Sequence, residues 1–281
     1  MPDHDAPAVV YEREGPIALL TLNRPDNRNA LSVQLLADFH RALDALAAEP
    51  AARVAILRGA GPTFCSGFDL SSSSASVQGT AADPWRDRER LLAWIELGLR
   101  LWEFPIPVVA QVHGHCLAGG VLFLLCSDLV FIEDECVIGW PRLPMGAGFM
   151  DAAMSLLIGQ RRAKEISYLV GSRISGSDAA SWGLANQAHP ADALETATLR
   201  FAAAMAKTPR NVLEIRKAAI TRAQRALGFR EALLAGVEWD ALAHVDPAVD
   251  TTRRLVREHG MKAVIEAFEN TDDYIATLEG E

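Results

Sequence analysis

Long apolar runs are missing. Half of the 281 residues are hydrophobic, yet none of the runs approaches the roughly 20 consecutive apolar residues that a membrane helix requires. Apolar residues dispersed in this way point to a globular chain that can bury a sizeable core, with no membrane partner. Basic residues are also short: 27 Lys and Arg stand against 36 Asp and Glu, a net charge of −9. Such an acidic chain is not expected to bind nucleic acid, whose phosphates draw on a basic face, although local basic residues leave small anionic ligands open. Cysteine is scarce, and Cys65, Cys116, Cys126 and Cys136 lack the close pairing of a zinc site. They read as reduced core thiols of a cytosolic protein. The N-terminal MPDHDAPAVV has neither an apolar signal core nor an Arg-rich transit pattern, which adds to the expectation of a soluble, cytoplasmic protein. No G-x-S-x-G elbow, Walker motif, dinucleotide fingerprint or H-E-x-x-H is found.

What is there alternates between strand-like and helix-like segments. VVYERE and IALLTL are short, β-rich and separated by Gly15-Pro16, which predicts adjacent strands. Ser32 then opens a run with helical spacing that Pro50 stops. VAILRG, PVVAQVHG, LVFIED and CVIGW read as further strands, and Asp87 to Glu103 as an amphipathic helix behind a serine-rich surface loop from Ser71 to Asp83. From Asp151 onward the pattern is mostly helical, broken by glycines and prolines. An α/β core followed by a helical region is the expectation, divided at residues 1–192 and 193–281.

Two stretches place glycine where a strand ends, GAGPTFCSGFDL after VAILRG and HGHCLAGGVLF after PVVAQVHG. Backbone N–H groups at such turns and helix starts are unpaired, and the helix end adds a partial positive charge. Two of them converging on one point would make an oxyanion hole. Plain turn chemistry is the simpler reading of each alone.

At these residues the chain resembles the crotonase family, the enoyl-CoA hydratase/isomerase superfamily. The matching segments are LNRPDNRNALS, AILRGAGPTFCSGFDL, PVVAQVHGHCLAGGVLFLLCSD and IGQRRAKEISYLVGSRISGSDAASWGLANQAHP, in family order and at about family spacing. The resemblance implies a spiral of ββα units closed by a C-terminal helical region that drives formation of a homotrimer or a dimer of trimers. It implies an acyl-CoA substrate, with no cofactor beyond the coenzyme A that the substrate carries. It also implies that the backbone N–H groups of Phe68 and Gly119 hold the thioester oxygen. Arg28 then falls where relatives place a basic residue near the CoA phosphates, and Ser66, Asp69 and Leu70 flank it on the CoA side. A solvated surface position is the alternative for Arg28, and an anchor of the turn for Asp69.

The chain departs from the family where hydratases carry two glutamates. Leu122 and Arg142 stand at those positions, so a general acid/base pair for adding water is missing. Relatives with a single acid would place it at Ala147, and the nearest carboxylate is Asp151, which also reads as a helix N-cap. Glu96 is a second candidate acid, or the solvent-facing member of an amphipathic turn; His115 sits at a variable position. Arg142 could pair with a substrate carboxylate or with Asp151. Trp140, Phe149 and their neighbours would make the acyl end of the pocket, beside Leu122, apolar and bulky. Three functions follow: isomerase-type enolate chemistry on an acyl-CoA, thioester hydrolysis or aryl-CoA dehalogenation, and acyl-CoA binding without catalysis.

Overall fold

In the computed structural model the described residues are 6–69 and 83–279, so Leu70 and all but the last residue of the serine-rich loop lie outside them. Gly15, at φ +57°, turns β1 (Val9–Glu14) back antiparallel onto β2 (Ile17–Leu22), pairing Val9 with Leu22. The chain then crosses through α1 (Val33–Ala47), whose N-cap Ser32 accepts the Leu35 N–H at 3.1 Å, and Leu35, Phe39, Leu43 and Leu46 bury one face. Parallel to β2 follows β3 (Val54–Gly59). α2 (Pro84–Trp102) is the next crossover, capped by Asp83, and leads to the fully buried β4 (Val108–Val112).

Alternate residues of β3 serve different cores: Ala55 and Leu57 join the main apolar cluster, Val54 and Ile56 a second one on the opposite face. A sheet covered on both faces explains why its strands read as continuous apolar runs. Beyond β4 come β5 (His115–Leu117), α3 (Val121–Cys126), β6 (Leu129–Glu133) and β7 (Val137–Gly139). They are followed by α4 (Asp151–Ile158), α5 (Gln160–Tyr168), β8 (Arg173–Ser175), α6 (Gly176–Trp182) and β9 (Gln187–His189). The larger sheet runs β1-β2-β3-β4-β6-β9 and the smaller β5-β7-β8.

Five of the last six helices are α7 (Ala191–Met205), α8 (Arg210–Ala226), α9 (Phe229–His244), α10 (Pro247–His259) and α11 (Met261–Asn270), and α12 (Tyr274–Glu279) ends the series. The expected division at 192/193 falls inside α7, whose Leu194 and Ala202 cover the second face of the sheet together with Leu213 of α8. α9 packs on α2 and α4, and α10 to α12 gather around Leu143, Leu255 and Val264. The helical region is therefore continuous with the core and reaches back over the loop after β7. Among the described residues no helix is long and apolar enough to cross a membrane.

Candidate active site

The two glycine turns meet. Cys65 and Cys116 form a parallel bridge, with Cys65 N–H donating to His115 O at 3.1 Å and Leu117 N–H to Cys65 O at 2.9 Å. This stitches the turn after β3 to β5 and the short 3-10 turn Ala118–Gly120 that opens α3. Gly67, at φ +88°, has no room for a side chain: a Cβ would lie 2.9 Å from Leu117 O and 3.0 Å from the Ala118 methyl. Only glycine satisfies both the angle and the approach.

The donors follow from this pairing. Leu31 N–H donates to Gly67 O at 2.8 Å and Asp69 N–H to Leu31 O at 3.1 Å, so the N–H of Phe68, lying between them, turns to the other side. Gly119 stands at the start of its turn, where backbone N–H groups have no intrahelical acceptor. Neither N–H has an acceptor among the described residues. Ala118 is held at φ +44°, a left-handed strain that sits beside the donor.

Anchoring explains the shape of the first turn without invoking the substrate. Arg24 pairs with Asp69 at 3.0 Å and donates to Ala30 O at 2.6 Å, while buried Asn29 donates to Ala60 O and Thr63 O at 2.9 and 2.7 Å. Asp69 thus anchors the turn through a part-buried ion pair. Arg28, at φ +52°, is exposed, and its carbonyl accepts the Ser66 N–H at 3.0 Å, placing both at the rim of the turn. The expected contact at Leu70 lies outside the described residues. Burial pushes the Cys65 and Cys136 thiols up to about 12, which makes them inert packing groups.

The Phe68 ring lies over the second turn, within 3.1 to 3.2 Å of where a Cβ on Gly119 would sit. It meets Trp94 of α2 edge-on at 5.9 Å between centroids and Phe149 at 5.8 Å. Phe149 therefore packs beside the two turns, and an aromatic wall forms next to their N–H groups. Leu122 is fully buried against Gly98 of α2. Trp140 is buried, and its ring N–H acts on the Asp151 carboxyl.

Asp151 is the carboxylate brought to this region. It begins α4 but makes no cap hydrogen bond, so the N-cap reading fails. Its side chain folds back over the preceding loop, where a Cβ on Gly148 would collide with it. This returns the carboxylate toward the Ala147–Gly148 segment, four residues before its own place in the chain. Burial lifts its pKa to about 6, opposed by side-chain hydrogen bonding from Ser167 and Trp140 and reinforced by nearby Asp240.

Two sequence candidates are not brought in. Glu96 is exposed on the face of α2 opposite Trp94 and lines a separate surface groove with Ala47, Arg100 and Glu103. Helical spacing requires this, because Arg90, Trp94 and Gly98 share the inward face. Arg142 pairs with neither a pocket group nor Asp151; it donates through Nε and Nη2 to Glu269 of α11 at 2.8 and 2.5 Å. His115 is exposed.

The residues that sequence reasoning missed lie behind the aromatic wall. Arg90 places its guanidinium 5.6 Å from the Phe68 ring centroid and donates to Asp87 Oδ1 from Nε and Nη2 at 3.0 and 2.7 Å. Asp87 Oδ2 faces His244 Nδ1 at 2.5 Å, His244 Nε2 faces Asp240 at 3.5 Å, and Asp240 Oδ1 accepts the Ala147 N–H at 2.6 Å. Burial disfavours the Asp87 carboxylate, but the His244 and Arg90 donors outweigh it and hold its pKa down to about 2. A signal existed: Asp87, Leu91, Trp94 and Gly98 recur at helical spacing, which puts Asp87 in an apolar stripe.

Known proteins carry the same architecture. A mevalonyl-coenzyme A hydratase of Beauveria bassiana is 32% identical over 274 residues, 93% of this chain and 88% of its own length. A hydroxycinnamoyl-CoA hydratase-lyase of Pseudomonas fluorescens is 32% identical over 211 residues, covering 73% of this chain and 72% of its own. The crystal structure of an enoyl-CoA hydratase/isomerase from Xanthobacter autotrophicus Py2 superposes with a TM-score of 0.82 at 30% identity, covering 94% of this chain and 97% of that one. The sequence pattern of the enoyl-CoA hydratase/isomerase family matches residues 12–269, and this chain, with its two joined glycine turns and helical C-terminal region, belongs to that family.

Proposed function

We propose that this member of the family moves a proton within an acyl-CoA thioester through an enolate, and does not add water. The largely buried Asp151 carboxyl, folded back over Gly148 and held near 6, is the observation that carries the reading. A general acid/base works best with a pKa close to the operating pH. The carboxylate would take a proton from carbon of the acyl chain, the electron pair would delocalise onto the thioester oxygen, and the same carboxyl would return the proton to another carbon. The N–H groups of Phe68 and Gly119 would hold the oxygen as its charge grows, and one such donor is worth roughly 2.7–4 kcal/mol. Leu122 supplies no second acid, and Arg142 is occupied by Glu269.

The aromatic wall of Phe68, Trp94 and Phe149 favours a bulky or aromatic acyl group, in keeping with the hydroxycinnamoyl-CoA relative. Exposed Arg28 and the rim at Ser66 would face the CoA phosphates. Exposed Ile220 and Leu227 near the end of α8 and Trp239 and Leu242 on α9 support burial against further copies, as in a trimer, in a cytoplasmic setting.

Exchange of acyl-CoA protons with D2O, followed by mass spectrometry, tests the chemistry. Exchange that is lost in Asp151→Asn, without hydration of crotonyl-CoA, supports the reading. Hydration at a hydratase-like rate, or release of free CoA as the main product, would overturn it.

A further inference from the structure

The guanidinium of Arg90, set over the Phe68 ring, keeps one nitrogen without a protein partner among the described residues. One edge, Nε and Nη2, is taken by Asp87 Oδ1, while Nη1 has no acceptor among the described residues and the side chain is only 19% exposed. Its guanidinium lies 5.6 Å from the centroid of the Phe68 ring, which in turn packs on Trp94 and Phe149. A charged donor set against an apolar wall is costly unless each group it presents finds a partner.

Its orientation is also fixed from behind. Asp87 is held by His244, His244 faces Asp240, and Asp240 accepts the Ala147 N–H, so α2, α9 and the loop before α4 together aim this one side chain. Arg253 of α10 adds a donor to His244 O at 2.9 Å. A braced donor at a binding wall is the arrangement that positions a ligand group.

We infer that Arg90 determines specificity by donating from Nη1 to a neutral oxygen on the acyl group, a hydroxyl, carbonyl or ether set away from the thioester. The inference rests on the reading of this cleft as the acyl-CoA site. Phe68 links the two ends: its N–H faces the thioester oxygen and its ring lies beneath the guanidinium, so the substituent sits about one ring beyond the reacting carbons. Neutrality follows from the surroundings. The Arg90 and Arg253 cations are already set against Asp87 and Asp240, so an incoming carboxylate finds no unmatched positive charge, whereas a neutral acceptor needs none.

Binding of inert, saturated analogues isolates this from turnover. Calorimetry would compare 3-phenylpropanoyl-CoA with its meta- and para-hydroxy and para-carboxy forms, on the full chain and on the Arg90→Met and Arg90→Lys variants. At least one hydroxylated analogue is expected to bind about 10- to 100-fold tighter than the plain one, as for a hydrogen bond to a charged group. Arg90→Met should remove that difference and leave the plain analogue within about threefold. Arg90→Lys, which keeps a cation for Asp87 and guards against misfolding, should also lose most of it. Equal binding of plain and hydroxylated forms, tightest binding of the carboxy form, or equal weakening of all ligands in Arg90→Met would overturn the assignment. If the plain analogue binds no better than CoA itself, the acyl-site reading has failed with it; if it binds well and the hydroxyl adds nothing, only the role of Arg90 is lost.

Discussion

Replacing Asp151 by Asn should make the protein more stable and less active at once. Burial lifts the carboxyl from its ordinary 3.8 to about 6. At about 1.4 kcal/mol per tenfold change, this gap corresponds to roughly 3 kcal/mol held against the ionised native form. The sign follows from proton counting. Between pH 4 and 6 the folded protein binds more protons at this group than the unfolded chain, so its contribution to stability falls as pH rises through that window and is level above it. An amide cannot ionise, so Asp151→Asn should match the parent at pH 4 and exceed it by up to roughly 3 kcal/mol at pH 7.5, several degrees in Tm for a chain of this size. Urea unfolding at both pH values, at one fixed protein concentration, reads the effect. The same variant should lose proton exchange into the acyl-CoA, and the parent's kcat/KM should rise with pH through about 6. A variant that is less stable at pH 7.5 and keeps the parent's pH slope would refute the placement of a strained carboxyl here, and one that exchanges protons normally would refute its role.

Further perturbations separate backbone from side chain. Phe68→Ala keeps the donor N–H, so exchange on a short acyl-CoA should persist within about tenfold while stability drops by about 1–3 kcal/mol for the lost half-buried ring. Gly119→Ala should do the reverse, because its Cβ would press on Leu31 at 2.9 Å and on the Phe68 ring, shifting the donors and abolishing exchange in a protein that still folds by circular dichroism. Ala118→Gly relieves a φ of +44° and should stabilise by about 1 kcal/mol in urea titrations. Lys217→Met strands Asp128, which Lys217 contacts at 2.7 Å in a buried pair, and should cost about 3–5 kcal/mol, much of it recovered by adding Asp128→Asn.

The strands and helices were legible because the sheet is covered on both faces, which turns β3 and β4 into apolar runs, and because Ser32 and the prolines mark helix ends in the open. The two glycine turns were legible because glycine at a strand end reports a constraint on the backbone. Side-chain direction was harder. Asp151 reads as a cap from its place at a helix start, and only the fold of the preceding loop shows it turned back toward Gly148. Glu96 could have been set aside from helical phase alone, since Trp94 and Gly98 fix the inward face. The Asp87–His244 contact joins residues 157 apart, and Arg142 reaches Glu269 across 127, distances over which local pattern carries no information.

The central claim is that Phe68 and Gly119 hold a thioester oxygen between them. A crystal structure with a saturated acyl-CoA bound tests it most directly. The account predicts the thioester oxygen within about 2.7–3.1 Å of both backbone nitrogens, with the acyl group against the Phe68 and Phe149 rings. An oxygen beyond about 3.5 Å from either nitrogen, or an acyl chain running elsewhere, would contradict it.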